Sequence, residues 1–280
     1  MASYLRPTQL KQALAALAAG PRVILAGGTD FYPARVGRPL DDDVLDITAL
    51  PDLRRISETS SSWRIPALAT WSDVIGQPLP ALFDGLKLAA REVGGVQIQN
   101  LGTVCGNLCN ASPAADGVPN LLALDTEVEL ASVHDTRLVK VADFVAGNRR
   151  TVRRPDELVT GLRIPKPKLP TRSTFLKLGA RKYLVISIAM VAAAVELDKG
   201  RIAAARFAVG ACSAVAQRLP DLERELQGCR LEPRLAGVVA PRHLAHLTPI
   251  DDIRGTSDYR RDAALTIVRR ALTQLAGSSA

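Results

Sequence analysis

The chain has few cysteines and histidines, and this scarcity excludes several classes of protein. Four cysteines in 280 residues are too few for a disulfide framework, so we expect reduced thiols. Their spacing matches no zinc-binding pattern, and they do not supply the clustered ligands that iron–sulfur clusters need. The three histidines form no metal set with the cysteines or with one another. We therefore predict that the chain binds no metal.

Long apolar runs and aromatic residues are also scarce. Aromatic residues make up only 4% of the chain. No apolar run approaches the roughly eighteen residues of a membrane-spanning helix. The N-terminal residues lack the basic stretch and apolar core of a secretion signal. The sequence therefore predicts no membrane span and a cytoplasmic location.

The net charge of +8 does not come from one basic block. Lysine and arginine are interleaved with acidic residues along the chain, which is not typical of nucleic-acid binding. The densest basic stretch, Arg149 to Arg154, lies between Asp143 and Asp156. We interpret it as a solvated loop, and the alternative is a rim that receives an acidic partner.

The length and the apolar periodicity predict two domains of the α+β class. The first is expected at residues 1–170, with a lobe at about 1–57 and a second lobe at about 58–170. Pro165, Pro167 and Pro170 mark the linker. The second domain, residues 171–280, is expected to contain a three-stranded antiparallel sheet, since the turn Asp198 to Arg201 separates two apolar runs.

Two glycine-containing segments about eighty residues apart carry the functional signal. Residues 26–30, Ala-Gly-Gly-Thr-Asp, follow the apolar run Val23 to Leu25, which predicts a strand that ends in two glycines. Such glycines adopt positive φ and expose backbone N–H groups, which bind anions. The second segment, residues 100–116, is rich in small and hydrogen-bonding residues. Two converging segments suit a dinucleotide with a diphosphate, so the sequence predicts FAD.

With these segments in place, the whole chain resembles the FAD-binding medium subunit of the molybdenum hydroxylases, the xanthine dehydrogenase and carbon monoxide dehydrogenase family. The stretches Phe175 to Gly179 and Asp251 to Arg261 resemble the family's C-terminal domain. The resemblance implies a PCMH-type two-lobed FAD-binding domain followed by a smaller α+β domain of the CO dehydrogenase flavoprotein C-terminal type.

The resemblance also implies which residues bind FAD. In the first segment, backbone N–H groups and the Thr29 hydroxyl would hold the diphosphate, and Asp116 would accept hydrogen bonds from hydroxyls of the cofactor. Val159 would pack near the flavin ring, and the Lys177 ammonium would approach it and favour the reduced flavin. The predicted FAD-binding residues are Leu25, Ala26, Gly27, Gly28, Thr29, Asp30, Phe31, Tyr32, Thr103, Val104, Cys105, Gly106, Asn107, Cys109, Asp116, Val159 and Lys177.

Some of these assignments have simpler alternatives. Asp116 is alternatively a helix N-cap, Lys177 a solvated strand lysine, and Phe31 and Tyr32 core residues. Cys105 stands where the family usually has the first of two adjacent glycines, so we expect backbone strain of roughly 1 to 3 kcal/mol or a shifted loop if that site needs positive φ or close backbone approach. The milder alternative is that the small thiol fits with little change. A redox pair of Cys105 and Cys109 is a further alternative.

The family resemblance finally implies a role in a complex. A large partner subunit would hold molybdopterin, a small one two [2Fe-2S] clusters, and this chain would pass electrons through FAD to an external acceptor, within a dimer of heterotrimers. No residue of this chain would then catalyse hydroxylation. Two other functions stay open: a stand-alone PCMH-type flavin oxidoreductase, and a structural subunit with weakened FAD binding.

Overall fold

The first lobe is a small parallel sheet with one helix. The computed structural model of the protein describes residues 2–37, 39 and 41–277. Two strands flank the central one and run parallel to it, in the order β1-β3-β2. The first glycine segment follows directly on the carboxyl end of β2, the second of these strands along the chain. The lobe contains β1 (Tyr4–Leu5), α1 (Leu10–Ala18), β2 (Val23–Leu25) and β3 (Val44–Asp46).

The second lobe is a five-stranded antiparallel sheet, in the order β4-β5-β10-β6-β7, with helices packed on it. A separate hairpin, β8-β9, lies beside it. The strands are β4 (Ser57–Glu58), β5 (Ser62–Pro66), β6 (Glu127–Ala131), β7 (Thr136–Lys140), β8 (Val145–Gly147), β9 (Arg150–Thr151) and β10 (Leu158–Pro165). The helices are α2 (Trp71–Gly76), α3 (Asp84–Glu92), α4 (Val96–Leu101), α5 (Val104–Asn110), α6 (Gly117–Ala123) and α7 (Val141–Phe144).

The C-terminal domain has an antiparallel sheet with helices on one side. The turn between β12 and β13 has positive φ at Lys199 and Gly200, as a tight two-residue hairpin requires. Three long strands were predicted, and a two-residue edge strand, β14, adds a fourth. The elements are β11 (Thr171–Leu178), β12 (Ala189–Asp198), β13 (Arg201–Gly210), β14 (Gln217–Arg218), α8 (Pro220–Leu226) and α9 (Ser257–Gly277). The predicted α+β class is confirmed.

The alanine-rich strand β12 joins the two domains because both of its faces are buried. Met190, Ala192 and Ala194 belong to a junction cluster that includes Ala89 of α3 and Ala123 of α6. The intervening odd-numbered residues lie in the core of the C-terminal domain. Side chains of a strand alternate between faces, and small ones allow helices to approach closely. This sheet is therefore fixed against the helices that carry the second glycine segment.

A buried carboxylate stabilises the second lobe beside the basic stretch. Glu157 is 1% exposed and accepts hydrogen bonds from the Arg137 guanidinium at 2.6 and 2.9 Å and from the Arg154 N–H at 2.7 Å. The hydrogen bond from Arg137 is the main reason that the pKa of Glu157 is lowered. A carboxylate whose pKa falls on folding stabilises the fold above its unfolded pKa, and this contribution is lost as the pH falls through the folded pKa.

The variant Glu157→Gln is expected to lose about 1–3 kcal/mol of unfolding free energy at pH 7, because a charge-assisted hydrogen-bond network is weakened. Wild-type stability should fall as the pH drops below about 4.3, the ordinary glutamate value. In Glu157→Gln this pH dependence should be flatter. Urea unfolding between neutral and acidic pH measures both effects. The control Glu58→Gln removes an exposed partner of Lys166 and should change stability little; an equal loss in both variants would contradict the prediction.

Candidate functional site

A cavity of about 600 Å³ lies between the two lobes of the first domain. Its walls come from the end of β2, from α4 and α5, and from the β8-β9 hairpin and the start of β10. Of the predicted FAD-binding residues, Ala26, Gly27, Gly28, Thr29, Asp30, Phe31, Thr103, Cys105, Gly106, Asn107, Cys109 and Val159 line it. Leu25, Tyr32, Val104, Asp116 and Lys177 lie outside this lining.

The first glycine segment rests directly on the second. A Cβ atom at Gly27 would lie 1.9 Å from the Leu101 carbonyl oxygen, so only glycine permits this approach. Gly28 has φ +73°, and a Cβ there would lie 2.6 Å from the Tyr32 ring. The two positions thus need glycine for different reasons. Gly27 allows a close contact, and Gly28 allows a left-handed backbone.

The first segment, which lines the cavity, carries a row of unused backbone donors. In the part of the chain that the structure describes, the N–H groups of residues 27–31 donate to no protein acceptor. The next one, that of Tyr32, donates to the Gly28 carbonyl oxygen at 3.1 Å. Successive free N–H groups in a glycine turn form a concave anion-binding surface. This geometry suits the diphosphate of FAD.

The second segment contains a helix, α5, where the sequence predicted a loop. Thr103 is the N-cap of α5, and its Oγ1 accepts a hydrogen bond from the Gly106 N–H at 2.9 Å. A Cβ at Gly106 would lie 2.7 Å from that Oγ1, so glycine here keeps the cap intact. Helical geometry places Thr103, Gly106 and Asn107 along the cavity wall.

The expectation of backbone strain at Cys105 is wrong. Cys105 lies in the first turn of α5 without positive φ, and its Sγ lies 3.8 Å from the Ile65 carbonyl oxygen in the core. Burial raises the pKa of the Cys105 thiol well above its usual value, whereas Cys109 is exposed. A thiol whose pKa is raised by burial is a poor nucleophile, which disfavours the redox pair.

The remaining predicted residues of the two segments lie next to the cavity or at its wall. Leu25 and Val104 are buried in the core, and Tyr32 is exposed. The Phe31 ring meets Tyr32 edge to face at 5.2 Å, and the Arg35 guanidinium lies 4.0 Å from the centre of the Phe31 ring. Phe31 is therefore held at the cavity wall by contacts on its other sides.

Asp116 and Lys177 form a buried ion pair between the two domains. The Lys177 Nζ lies 2.7 Å from Asp116 Oδ2, and the Ser187 hydroxyl donates to Asp116 Oδ1 at 2.6 Å. Both side chains are 7% exposed. Asp116 occupies the N-cap position of α6, as the alternative held, but its side chain makes no capping hydrogen bond there. Lys177 is not a solvated lysine. Their predicted contacts with FAD stay predictions.

Arginines from the basic stretch were missed as site residues. Arg149 and Arg153 line the cavity, although the sequence favoured a solvated loop there. The Arg149 guanidinium donates to Asn110 Oδ1 at 2.5 Å, and Asn110 Nδ2 donates to Asp30 Oδ2 at 3.0 Å. The stretch has four arginines and no acidic residue among them. This pattern was the signal in the sequence that could have identified Arg149 and Arg153 as site residues.

The described residues, which are all but Met1, Arg38, Leu40 and 278–280, contain neither a metal-ligating cluster nor a membrane-spanning helix. Among them, no group of three or more His, Cys, Asp or Glu side chains is placed to hold a metal ion. None of the helices in the described ranges combines the length and the hydropathy needed to cross a membrane.

Comparison with known families agrees with this geometry. The family model described as the FAD binding domain in molybdopterin dehydrogenase matches residues 1–167. The CO dehydrogenase flavoprotein C-terminal domain matches residues 174–275.

Individual proteins are similar over the whole chain. The glyceraldehyde dehydrogenase medium chain of Sulfolobus acidocaldarius is 30% identical over 277 residues, covering 98% of both chains. The nicotinate dehydrogenase FAD-subunit of Eubacterium barkeri is 37% identical over 199 residues, covering 69% of this chain and 67% of that one. A solved structure, reconstituted CO dehydrogenase from Oligotropha carboxidovorans, superimposes with a TM-score of 0.89 at 25% identity, covering 100% and 99% of the chains. Since the family model spans more than half of the sequence, this chain belongs to the FAD-binding medium subunits of the molybdenum hydroxylase family, with FAD as its cofactor.

Proposed function

We propose that this chain is the electron-outlet subunit of a molybdenum-containing hydroxylase or dehydrogenase. Electrons would enter from [2Fe-2S] clusters of a small partner subunit and leave to an external acceptor. A large partner subunit would hold molybdopterin and hydroxylate the substrate. The complex would be a cytoplasmic dimer of heterotrimers. FAD supplies the chemistry that links one-electron donors to a two-electron acceptor.

The row of free N–H groups beside Gly27 and Gly28 carries this proposal. It would bind the diphosphate, while Val159 and Phe31 supply apolar surface on the same cavity. The chain's residues would thus fix the position of the cofactor and exclude water around it. Cys105 was the only sequence feature that favoured weakened FAD binding, and its unstrained helical position removes that reason.

An exposed apolar patch next to the cavity supports a role in a complex. We define it as Val96, Ile98, Leu101, Tyr183 and Leu184, which are 66, 38, 60, 59 and 58% exposed. Its two parts lie near each other, since a Cβ at Gly95, beside Val96, would lie 3.5 Å from Leu184 Cδ2, and Ile98 also lines the cavity. Clustered exposed apolar side chains are typical of protein–protein interfaces.

Replacing Leu184 with glutamate is expected to reduce recovery of the complex at least about tenfold, because a charge would enter an apolar interface. FAD bound per chain should not change. Co-expression with the partner subunits, followed by affinity purification and gel quantification, measures this effect. The control Val133→Glu places the same charge on an exposed turn between β6 and β7. Equal recovery of both variants would count against this patch as the interface.

The proposed function is tested by purifying the chain with and without its co-expressed partners. We expect flavin absorbance corresponding to about one FAD per chain in both preparations, and iron and molybdenum only in the complex. Substrate should then reduce the flavin in the complex and leave it oxidised in the isolated chain. A colourless chain inside an active complex would overturn the proposal and favour a structural subunit. Substrate turnover by the isolated chain would favour the stand-alone oxidoreductase.

A further inference from the structure

The cavity wall contributed by the second lobe carries two arginines without a carboxylate partner. Within the described residues, neither Arg149 nor Arg153 forms an ion pair with an aspartate or glutamate. The Arg153 guanidinium donates instead to the backbone carbonyl oxygens of Arg154, Pro155 and Glu157. Arg149 donates to the neutral amide of Asn110. Two positive charges on this wall therefore remain available to an anion.

The other two arginines of the cavity are linked to acidic groups, one directly and one through a serine hydroxyl. Arg35 donates to Asp42 Oδ2 through two nitrogens, at 2.7 and 3.1 Å. Arg22 donates to the Ser3 hydroxyl at 2.8 Å, and that hydroxyl donates to Asp43 Oδ1 at 2.7 Å. The charge of Arg35 is thus compensated by a direct ion pair, whereas Arg22, like Arg149, reaches a carboxylate only through a neutral group.

Hydrogen bonds hold Arg149 close to the row of free N–H groups. Asn110 Oδ1 accepts a hydrogen bond from the Arg149 guanidinium. Asn110 Nδ2 in turn donates to Asp30, at the end of the first glycine segment. The backbone N–H of Arg149 donates to the Ala111 carbonyl oxygen at 2.9 Å, and Arg149 has φ +54°. The hairpin that carries Arg149 is therefore tied to the end of α5 by backbone and side-chain contacts together.

We infer that Arg149 and Arg153 bind the diphosphate of FAD from the side opposite the glycine segment, and that Asn110 and Asp30 are positioning residues for Arg149. The inference rests on FAD binding in this cavity. Its physical basis is that a diphosphate taken out of water needs compensating charge, and backbone N–H groups supply only partial charges. The guanidinium group suits phosphate oxygens because it donates two parallel hydrogen bonds.

The test measures FAD affinity of the full chain after removal of its flavin, by fluorescence titration at low and high salt. Arg149→Met and Arg153→Met should each weaken binding about tenfold or more and make the affinity less dependent on salt, since a charge contact is lost. Methionine keeps the Cβ atom, so the left-handed backbone at Arg149 gains no new strain. Arg149→Lys should restore part of the affinity. The control Arg150→Met removes the same charge from the same hairpin at an exposed residue outside the cavity lining.

The positioning role of Asn110 has its own readout. Asn110→Ala should weaken FAD binding less than Arg149→Met, and the double variant should bind no more weakly than Arg149→Met alone, because Asn110 acts through Arg149. Unchanged affinity and salt dependence in both arginine variants, with stoichiometric FAD in the wild type, would overturn this inference and leave the proposed function intact. Absence of FAD binding in the wild type would overturn both.

Discussion

The variant Gly27→Ala is expected to lose stoichiometric FAD binding, with an affinity at least about 100-fold weaker than that of the wild type. A Cβ at residue 27 would lie 1.9 Å from the Leu101 carbonyl oxygen and 2.7 Å from its carbonyl carbon. Both are backbone atoms, which cannot turn away as a side chain can. The first glycine segment would have to separate from α4 and α5, and its N–H groups would no longer face the cavity. A 100-fold loss corresponds to about 2.8 kcal/mol.

The measurement is the flavin content of the purified chain, followed by FAD titration of the flavin-free protein, with circular dichroism to verify the fold. Gly20→Ala is the matched control, because it makes the same change seven residues earlier, just before β2. A Cβ at Gly20 would meet nothing within 4 Å. This control should bind FAD like the wild type. Wild-type affinity in Gly27→Ala would show that the contact with Leu101 is not needed for the bound state.

Much of this site could be predicted because its determinants are local. A strand ending in two glycines predicts an anion-binding turn, and the structure has free N–H groups at that position. Positive φ was the predicted reason for both glycines, and it holds only for Gly28. Glycine is required at residue 27 because of a contact with a residue 74 positions away. A local sequence pattern cannot predict such a contact.

Contacts between distant residues also explain why the helix α5 and the site arginines of the β8-β9 hairpin were not predicted. Residues 104–110 read as a loop because glycine, asparagine and cysteine are poor helix formers, yet the Thr103 cap and tertiary packing make them helical. Arg149 resembled a solvated residue because its partner Asn110 lies 39 positions earlier. The sequence left a rim for an acidic partner as the alternative to a solvated loop, and only the fold shows that Arg149 and Arg153 line the cavity.

Breaking the ion pair of Asp116 and Lys177 is expected to lower the unfolding free energy strongly, which is the second large effect. Burial raises the pKa of Asp116 more than the Lys177 ammonium lowers it, so the carboxylate is less stable in the protein than in water despite its partner. Such a pair stabilises little in total, but removing one partner leaves an uncompensated buried charge. We therefore expect Lys177→Met to cost about 3–5 kcal/mol of unfolding free energy, and Asp116→Asn to cost a comparable amount.

The double variant Asp116→Asn with Lys177→Met should be more stable than the sum of the single losses implies, by at least about 1 kcal/mol, because no charge stays buried and asparagine still accepts from Ser187. Urea unfolding of the four proteins measures this coupling. Arg224→Met is the control, since Arg224 pairs with Asp221 on the surface, with side chains 76 and 63% exposed, and should lose little. Strictly additive losses would contradict a coupled pair.

The same set of variants separates the structural role of Lys177 from its predicted role at the flavin ring. The double variant lacks the ammonium but avoids the uncompensated Asp116 charge, so its fold should be close to that of the wild type. If it recovers stability and its flavin potential still falls below the wild-type value, the positive charge favours the reduced flavin as predicted. If the potential is that of the wild type, Lys177 serves the junction between the domains and not the flavin.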